Sequence, residues 1–419
     1  MFFINMVATT LLLTAAAGSS QEVYLSENPQ INIFKFSYYK YVNFATETVA
    51  YPLYSDAAFG NKTTVTIPKK GHLLSKMYLE LTLPQLTPTD GTYLSWVDTI
   101  GYAIFKEPVE LMIGGSIVDR LYPVCMDIQD ELNTTTKREG KNRMILKSDV
   151  YRSTLCNATQ EVVLKIPLEF WFTKDYSLSL PVFCMPNQDI QLNFSFAQFS
   201  DLINFDGAVG TNQTYQILDS KVLVEYIFLD DIILPTYTDN PLIYLIEQQT
   251  YNGKEPVNAN AYMVNSKCHF DNSSKELLFA CVSTDNINAN NYFNYSIQDT
   301  TSNNYYDSTV VPFISEIGLF LNGIQFYEDY LPEHVFREIL PNNVHDVIPD
   351  KHLYIFPFCS KASSITQPTG SINMSRFDSV VLSLKMRPNI PSCMLYVFSI
   401  SYNIVTIQNG LLSFAFNNS

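Results

Sequence analysis

Short stretches in which apolar and polar residues alternate recur along the whole chain. A period of two predicts β-strands with one buried face. Turn residues separate many of them, among them Gly114-Gly115, Asn252-Gly253, Asn322-Gly323 and Pro181. Helical periodicity is confined to short pieces, Met126–Leu132 and Tyr330–Leu340. The pattern predicts an all-β fold class with short helices in the loops, and with strands at Thr64–Ile67, Lys76–Leu83, Val109–Ile113, Ile190–Phe196, Lys221–Phe228, Val380–Leu384 and Met394–Tyr402.

The second half of the chain repeats the first half weakly. Val109–Arg120 and Ile317–Glu328 are each a strand, a two-residue turn suited to positive φ and a second strand. Two successive copies of one β-domain, of roughly 200 residues each, are the simplest explanation. Three later pairs keep the same order: Leu168–Lys174 with Leu353–Lys361, Ile190–Phe196 with Val380–Leu384, and Lys221–Phe228 with Met394–Tyr402.

Many short strands with frequent turns are typical of jelly rolls, in which two antiparallel sheets pack face to face. We therefore expect two consecutive eight-stranded jelly rolls, a double jelly roll, with the first at residues 21–229 and the second at residues 230–419. The segment Asp230–Thr238, which opens with two acidic residues and contains Pro235, is the expected crossing between them.

The first residues form an apolar stretch that resembles a secretory signal. However, no Lys or Arg precedes its apolar run, and the run is slightly short for a bilayer span. We expect residues 1–20 to be a retained N-terminal arm that packs on a partner or a membrane surface.

Composition and charge narrow the class of function. Tyr and Phe are abundant, at 27 and 28 residues, and only 16% of residues are charged, which suits pleated, half-buried surfaces. The net charge of −15 should repel phosphate backbones, so we expect no direct contact with nucleic acid. The densest basic stretch, Lys137–Arg143, contains a Glu and is interpreted as a solvated loop.

Residue patterns that would indicate catalysis or metal binding are lacking in the sequence. The 7 cysteines include no CxxC pair and are expected to be mostly free, buried thiols. The 5 histidines form no HxH or HExxH pattern, and neither a Gly-x-Ser-x-Gly elbow nor a phosphate-binding loop occurs. His345 is interpreted as a surface loop residue. We therefore predict no enzyme activity, no cofactor and no metal site.

Asn-x-Ser/Thr sequences are frequent, and three of them are candidate glycosylation sites: Asn212, Asn272 and Asn294. Asn294 lies in Ser283–Tyr306, which is crowded with Asn, Tyr, Ser and Thr and is predicted to be a long exposed loop.

A polar loop leads into the strand at Val380 and carries Asn373, Ser375, Arg376 and Asp378. Asn and Ser side chains bond to backbone groups at corners. In an extended chain Arg376 and Asp378 would share one face, and could pair there or across a subunit boundary. Phe377 would point the opposite way, toward the core. We interpret the loop as a structural corner, with a ligand loop as the alternative.

The order of motifs resembles the major capsid proteins of nucleocytoplasmic large DNA viruses, the iridovirus, phycodnavirus and giant-virus group. The resemblance extends from about Gln21 to the last residues. It is carried by the following stretches: Gln21–Lys35, Tyr38–Glu47, Ile113–Asp119, Ile166–Phe172, Ser179–Pro181, Val224–Asp230, Tyr244–Gln248, Gly370–Asp378 and Tyr402–Phe416.

The resemblance implies a structural protein of the virion, a double jelly roll that forms a pseudo-hexagonal homotrimeric capsomer in an icosahedral shell. It further implies contacts with neighbouring capsomers and with minor capsid proteins, and assembly in the host cell cytoplasm. Residues 1–20 would lie beneath the capsomer, near minor capsid proteins or an internal viral membrane. The alternatives are a paralogous capsid protein with a minor or special position and a jelly-roll surface protein that binds glycans.

Overall fold

The computed structural model describes residues 34–53, 57–86, 94–134, 138–147, 160–205, 215–297 and 311–416, together with residues 28, 30 and 32. Residues 1–43 form a unit separate from residues 44–419. Every strand and helix of the described residues lies in the second unit. The arm at residues 1–20 lies outside the described residues.

The first roll consists of two four-stranded antiparallel sheets. Sheet 1A has the order β1-β10-β3-β7 and sheet 1B the order β2-β8-β5-β6, while β4 and β9 form a separate pair. The strands are β1 Phe44–Pro52, β2 Lys62–Ile67, β3 Leu73–Leu83, β4 Leu94–Trp96, β5 Val109–Ile113, β6 Ser116–Leu121, β7 Val162–Pro167, β8 Ile190–Ser195, β9 Ile203–Phe205 and β10 Asp219–Leu229.

The second roll repeats this topology. Sheet 2A has the order β11-β20-β13-β17 and sheet 2B the order β12-β19-β14-β15. β18 and β21 pair with sheet 2A, and β16 pairs with sheet 2B. The strands are β11 Leu242–Val257, β12 Met263–Cys268, β13 Ser273–Ser283, β14 Ile314–Leu321, β15 Ile324–Gln325, β16 Leu331–Pro332, β17 Leu353–Pro357, β18 Ile372–Asn373, β19 Val380–Met386, β20 Cys393–Gln408 and β21 Leu411–Phe414.

The helices are short and lie in the connections. The α-helices are α1 Ile100–Ala103, α2 Pro123–Asn133, α3 Arg138–Ile145, α4 Trp171–Lys174, α5 Leu234–Thr238, α6 Thr284–Asn288 and α7 Leu340–Val344. A π-helix spans Val335–Ile339, and 3₁₀ turns span Tyr176–Leu178, Val182–Cys184, Phe199–Leu202 and Met374–Arg376.

The predicted strands and the predicted double jelly roll are confirmed. In each roll the first, eighth, third and sixth of the eight sheet strands form one sheet, and the second, seventh, fourth and fifth form the other. The hairpin turns at Gly114-Gly115 and Asn322-Gly323 have positive φ at both positions, as the right-handed twist of the flanking strands requires. The repeat in the sequence is therefore a repeat of topology.

Three details of the sequence interpretation are corrected. Asn252-Gly253 is an irregularity inside β11, where pairing with β20 continues on both sides, and not a turn between strands. Tyr330–Leu340 is not one helix but β16 followed by a π-helix. Leu168–Lys174 follows the sixth sheet strand of the first roll, whereas Leu353–Lys361 begins with the sixth sheet strand of the second roll. The two stretches are both rich in aromatic residues, but they do not occupy equivalent positions in the two rolls.

Two hydrophobic clusters account for the packing. One lies between sheets 2A and 2B, and includes Leu277 and Phe279 of β13. The other fills the first roll and also takes in Leu278 and Ala280, which point from β13 in the opposite direction. Sheet 2A is consequently buried on both faces, because its outer face packs against the first roll. The described cysteines, all but Cys156, are free thiols, as predicted.

Candidate functional site

The contact between the two rolls contains a helix with buried acidic residues. α2 begins at Pro123, which suits the first helical position because it needs no backbone N–H there. Cys125, Ile128 and Leu132 are buried in the first-roll cluster. Asp127, Asp130 and Glu131 are buried as well. Carboxylates in such a position need paired cations.

Two lysines from distant parts of the chain pair with these carboxylates. Lys147 Nζ lies 2.9 Å from Asp127 Oδ1, 3.0 Å from Asp130 Oδ2 and 2.8 Å from Glu131 Oε1. Lys351 of the second roll donates to both Asp127 oxygens, at 3.1 and 2.8 Å. Tyr295 donates its hydroxyl to Asp127 Oδ2 at 2.9 Å. Asp127 thus accepts hydrogen bonds from side chains of both rolls.

The network is held in its charged form. Burial alone would raise the pKa of Asp127, but Lys147 and Lys351 outweigh it, so this pKa lies below its usual range. Burial would lower the pKa of Lys147, but Asp127, Glu131 and Asp130 raise it well above the ordinary value. Asp127 and Lys147 therefore stay ionised at neutral pH.

Basic residues of α3 extend the network to the rim. Arg138 pairs with Glu131 at 2.7 Å and with Asp350 of the second roll at 2.9 Å. Lys141 pairs with Asp130 and Glu169, each at 2.8 Å. The basic stretch around Lys141 is therefore a helix with paired charges and not the solvated loop that its composition indicated.

A second bridge centres on Glu247 of β11. Lys174 of the first roll lies 3.1 Å from Glu247 Oε2, and Lys275 of β13 contacts Oε1 of the same carboxylate. Burial would raise the pKa of Glu247, but Lys174 and Lys275 outweigh it and lower that pKa. The carboxylate ties α4 of the first roll to sheet 2A.

A third bridge passes through His345. Its Nε2 lies 2.7 Å from Glu276 Oε2, and its Nδ1 lies 3.1 Å from Asn133 Oδ1 at the end of α2. The side chain is buried, so the interpretation of His345 as a surface loop residue is wrong. The contacts that bury it come from residues far away in the sequence.

Aromatic rings and two cavities complete the contact. Tyr122 lies with its ring centroid 5.2 Å from that of Tyr251 and 5.7 Å from that of Phe398. These rings border an apolar cavity of about 440 Å³ between the rolls. A second cavity, of about 340 Å³, is lined by paired charges, including Lys174, Glu247 and Glu276.

The arrangement indicates a structural role for these groups. In the part of the chain that the structure describes, no cluster of three or more His, Cys, Asp or Glu residues could hold a metal ion. Among the same residues, no helix is both long and apolar enough to cross a bilayer. The buried charges pair with one another across the two rolls, and a fully paired network fixes one relative orientation of its partners.

Asp119 of β6 should make stability depend on pH. Burial raises its pKa to about 7, against the weaker opposing effects of a backbone N–H bond and Lys174. The folded protein therefore binds more protons than the unfolded chain between about pH 4 and 7, and stability falls as pH rises through that range. Asp119→Asn should flatten this slope and raise the free energy of unfolding at pH 8 by up to about 4 kcal/mol.

Urea titrations at pH 4.5, 6 and 8 would measure the effect. Asp175→Asn is the matched control, because its carboxylate is only half-buried and its pKa is lowered by hydrogen bonds from Ser177. A wild-type protein and an Asp119→Asn variant with parallel pH profiles would contradict the prediction.

The structure places the predicted corner at an exposed turn of the second roll. Asn373 Oδ1 accepts from the Ser375 backbone N–H at 3.1 Å and from its hydroxyl at 2.6 Å, which caps the 3₁₀ turn Met374–Arg376. Arg376 and Asp378 are both exposed, and the described residues include no ion pair between them. Arg376 and Asp378 were expected to share one face because an extended chain was predicted there, but residues 374–376 form a turn. Phe377 packs on the second-roll cluster, while Met374 is the residue buried there.

The candidate glycosylation residues lie in different environments. Asn294 is only 1% exposed, and its Oδ1 accepts from the Ser296 backbone N–H at 3.0 Å. Residues 293–296 are buried, so this part of Ser283–Tyr306 is not an exposed loop, and we do not propose Asn294 as an acceptor. Asn272 is half-buried, and Asn212 lies outside the described residues.

The charge network was not predicted from the sequence. The available signal was the spacing of Asp127, Asp130 and Glu131, which places three acidic residues on one face of a predicted amphipathic helix. Nothing local indicates Lys147 or Lys351 as their partners, because Lys147 lies 20 residues from Asp127 in the sequence and Lys351 approaches only when the second roll packs on the first.

Comparisons with known proteins agree with the topology. The family model "Major capsid protein N-terminus" matches residues 32–230, and "Large eukaryotic DNA virus major capsid protein" matches residues 236–413. The chain is 26% identical to the major capsid protein of Pyramimonas orientalis virus, over 97% of this chain and 99% of the relative. It is 25% identical to that of Paramecium bursaria Chlorella virus 1, over 96% and 98%.

The solved PBCV-1 virus capsid shows the same fold. Its matching chain gives a TM-score of 0.78 at 21% identity, over 92% of this chain and 100% of that chain. The two family models follow each other in order and together cover most of the sequence. The chain therefore belongs to the major capsid protein family of large eukaryotic DNA viruses and is a structural capsid protein.

Proposed function

We propose that this chain forms a pseudo-hexagonal homotrimeric capsomer that tiles the icosahedral shell of a large DNA virus. The observation that carries the proposal is the twofold occurrence of one roll topology in a single chain. Three copies supply six similar rolls, which can surround a threefold axis as six nearly equivalent units. The buried charges between the rolls support this, because tiling requires each copy to present its rolls in the same orientation.

The division into rolls at residues 21–229 and 230–419 is part of the proposal. In the described part of the chain, strands up to β10 pair only with one another, and so do strands from β11 onward. The two family matches also meet in this region. Both rolls nevertheless contribute to one hydrophobic cluster, so we propose two structural repeats that fold as one unit.

The shell role includes several partners. Capsomers would contact neighbouring capsomers and minor capsid proteins through repeated weak contacts, whose sum is strong. Residues 1–20 would reach minor capsid proteins or an internal viral membrane. We propose assembly in the host cell cytoplasm, with neither enzyme activity nor direct nucleic-acid binding. The net charge of −15 supports the last point.

The mass of the purified chain in solution tests the trimer. Light scattering on a sizing column should give three times the subunit mass of 47.7 kDa, with no change on dilution. An obligate trimer of this kind should bury several thousand Å² in total. A chain lacking residues 1–20 should give the same trimer and fail only in shell assembly. A stable monomer would contradict the proposal and favour the glycan-binding alternative.

A further inference from the structure

The contact within one chain has a defined geometry. The outer face and β11 edge of sheet 2A are covered by residues 116–133 of the first roll, which comprise β6 and α2. Gln248 Nε2 donates to the Val118 carbonyl at 2.6 Å, and Gln249 Nε2 donates to Gln129 Oε1 at 2.9 Å. A strand with its following helix from one roll thus lies on the first sheet of the next.

The register of the strands relates the two rolls residue by residue. Glu80 pairs with Lys221 in sheet 1A, and Ala280 pairs with Tyr396 in sheet 2A. Each pairing has a shift at the same point, after Leu74 in one sheet and after Ser274 in the other. The equivalent positions that follow are Glu80 and Ala280, Leu223 and Phe398, Lys165 and Leu353, and Glu47 and Gln248.

The equivalent faces differ in burial. Ala280, Phe398 and Leu353 of sheet 2A are all buried against the first roll. Their equivalents in sheet 1A are not, since Glu80 and Leu223 are half-buried and Lys165 is exposed. The outer face of sheet 1A is therefore uncovered, whereas the equivalent outer face of sheet 2A is covered by the first roll.

The second roll also contains a counterpart of residues 116–133, and large apolar side chains of that counterpart are exposed. Residues 324–343 follow β14 as residues 116–133 follow β5, and the hairpin pairings place Phe326 at the position of Val118. Val118 is 3% exposed, whereas Phe326 is 41% exposed. Ile339 of the same segment is also an exposed large apolar residue.

We propose that residues 324–343 of one copy cover the outer face and β1 edge of sheet 1A of the next copy, as residues 116–133 cover sheet 2A within each chain. The inference rests on the proposed trimer and names its subunit interface. The contact joins two different surfaces, so it is heterologous, and it generates a ring when the rotation closes. Two rolls per copy and three copies give six such contacts, half within chains and half between them.

The chemistry of the two surfaces fits this partner. Before assembly both surfaces face water, and sheet 1A accordingly carries Glu80 and Lys165 where sheet 2A carries Ala280 and Leu353. The segment brings the exposed carboxylates of Glu328 and Asp329, while sheet 1A presents exposed Lys165 beside Glu80, whose own carboxylate is paired with Lys221. Charges of opposite sign across the contact favour correct pairing. Phe326 packs on Phe356 and Phe358 of its own roll but leaves 41% of its surface exposed, and aromatic residues of this type are enriched at protein interfaces.

Cysteine crosslinking tests the pairing directly. The double variant Glu47→Cys, Phe326→Cys should give covalent dimers and trimers with a short bis-thiol reagent, because each copy presents both partners of the contact. The single variants should give only the background of the native thiols. The matched control is Lys62→Cys, Glu107→Cys, at two exposed positions that are in contact within one chain, which should crosslink without any increase in mass.

Phe326→Asp supplies a second readout. It should shift the mass in solution from the trimer toward the 47.7 kDa monomer, with unchanged circular dichroism. Tyr262→Asp, at an exposed aromatic residue outside both surfaces, should leave the trimer intact. A monomeric wild-type protein would overturn the proposed function itself. A wild-type trimer whose double variant gives no crosslinked trimer, and whose Phe326→Asp variant stays trimeric, would overturn only this interface.

Discussion

Replacing Asp127 by asparagine should lower the free energy of unfolding by about 3–5 kcal/mol. The substitution keeps the volume and removes the charge. Lys147 would keep Asp130 and Glu131, but Lys351 would lose its near carboxylate and retain only Glu131, at 3.7 Å. A buried ammonium without a close counter-ion is costly, which is why removal of one partner destabilises more than the intact pair stabilises.

Calorimetry at one fixed protein concentration would measure the loss, since the stability of an oligomer depends on concentration. The wild-type protein should unfold in one transition. The variant should unfold at a lower temperature, because the weakened contact lets the second roll separate from the first. Lys62→Ala is the control, because it removes an ion pair in which Lys62 and Glu107 are 70% and 49% exposed. That loss should be at most about 1 kcal/mol. Equal effects of the two substitutions would contradict the assignment of Asp127 as the link between rolls.

Phe398→Ala should be the second severe substitution, at a cost of about 3–5 kcal/mol. Phe398 is fully buried where sheet 2A meets the first roll, and its ring centroid lies 4.7 Å from that of Tyr251. Because the ring already borders the apolar cavity of about 440 Å³, truncation would enlarge a space that the surrounding strands cannot fill.

Chemical denaturation monitored by tyrosine fluorescence would measure this cost. Tyr262→Ala is a suitable comparison, since it removes an aromatic ring of similar size that is exposed and should change stability by about 0.5 kcal/mol or less. A loss below about 1 kcal/mol for Phe398→Ala would mean that the packing between the rolls contributes little to the fold. It would also contradict the view that the two rolls unfold together.

These two substitutions act at one interface by different physics. Asp127 fixes the orientation of the rolls through directional charge pairs, whereas Phe398 provides apolar area that has no directional preference. A shell protein needs both, because each copy must present the same surfaces to its neighbours. The inter-roll contact is therefore the part of the chain on which the proposed capsomer depends.

Strand positions could be predicted because they depend on local pattern. Stretches such as Thr64–Ile67 and Val109–Ile113 alternate clearly, since one face of each is buried and the other is not. β13 was not predicted, because both of its faces are buried and its sequence shows no alternation. The helix predicted at Tyr330–Leu340 was replaced by a strand and a π-helix, since packing overrode its periodicity.

The corner at Asn373 was predictable for the same local reason. An Asn side chain that accepts from the backbone two residues later needs no other part of the chain. The burial of His345 and Asn294 was not predictable, because it results from β13 and α2 for the first and from the packing of residues 293–296 for the second. Sequence context alone marked both as loop residues.

The sequence by itself determined the all-β class, the duplication, about half of the strands and the family, since each is written in local alternation or in ordered motifs. Only the tertiary structure decided how the rolls contact each other. Asp127, Lys147 and Lys351 are separated by many residues and acquire their roles only when folding removes water from between them. Partners so distant leave no periodic pattern in the chain, so no reading of neighbouring residues can pair them.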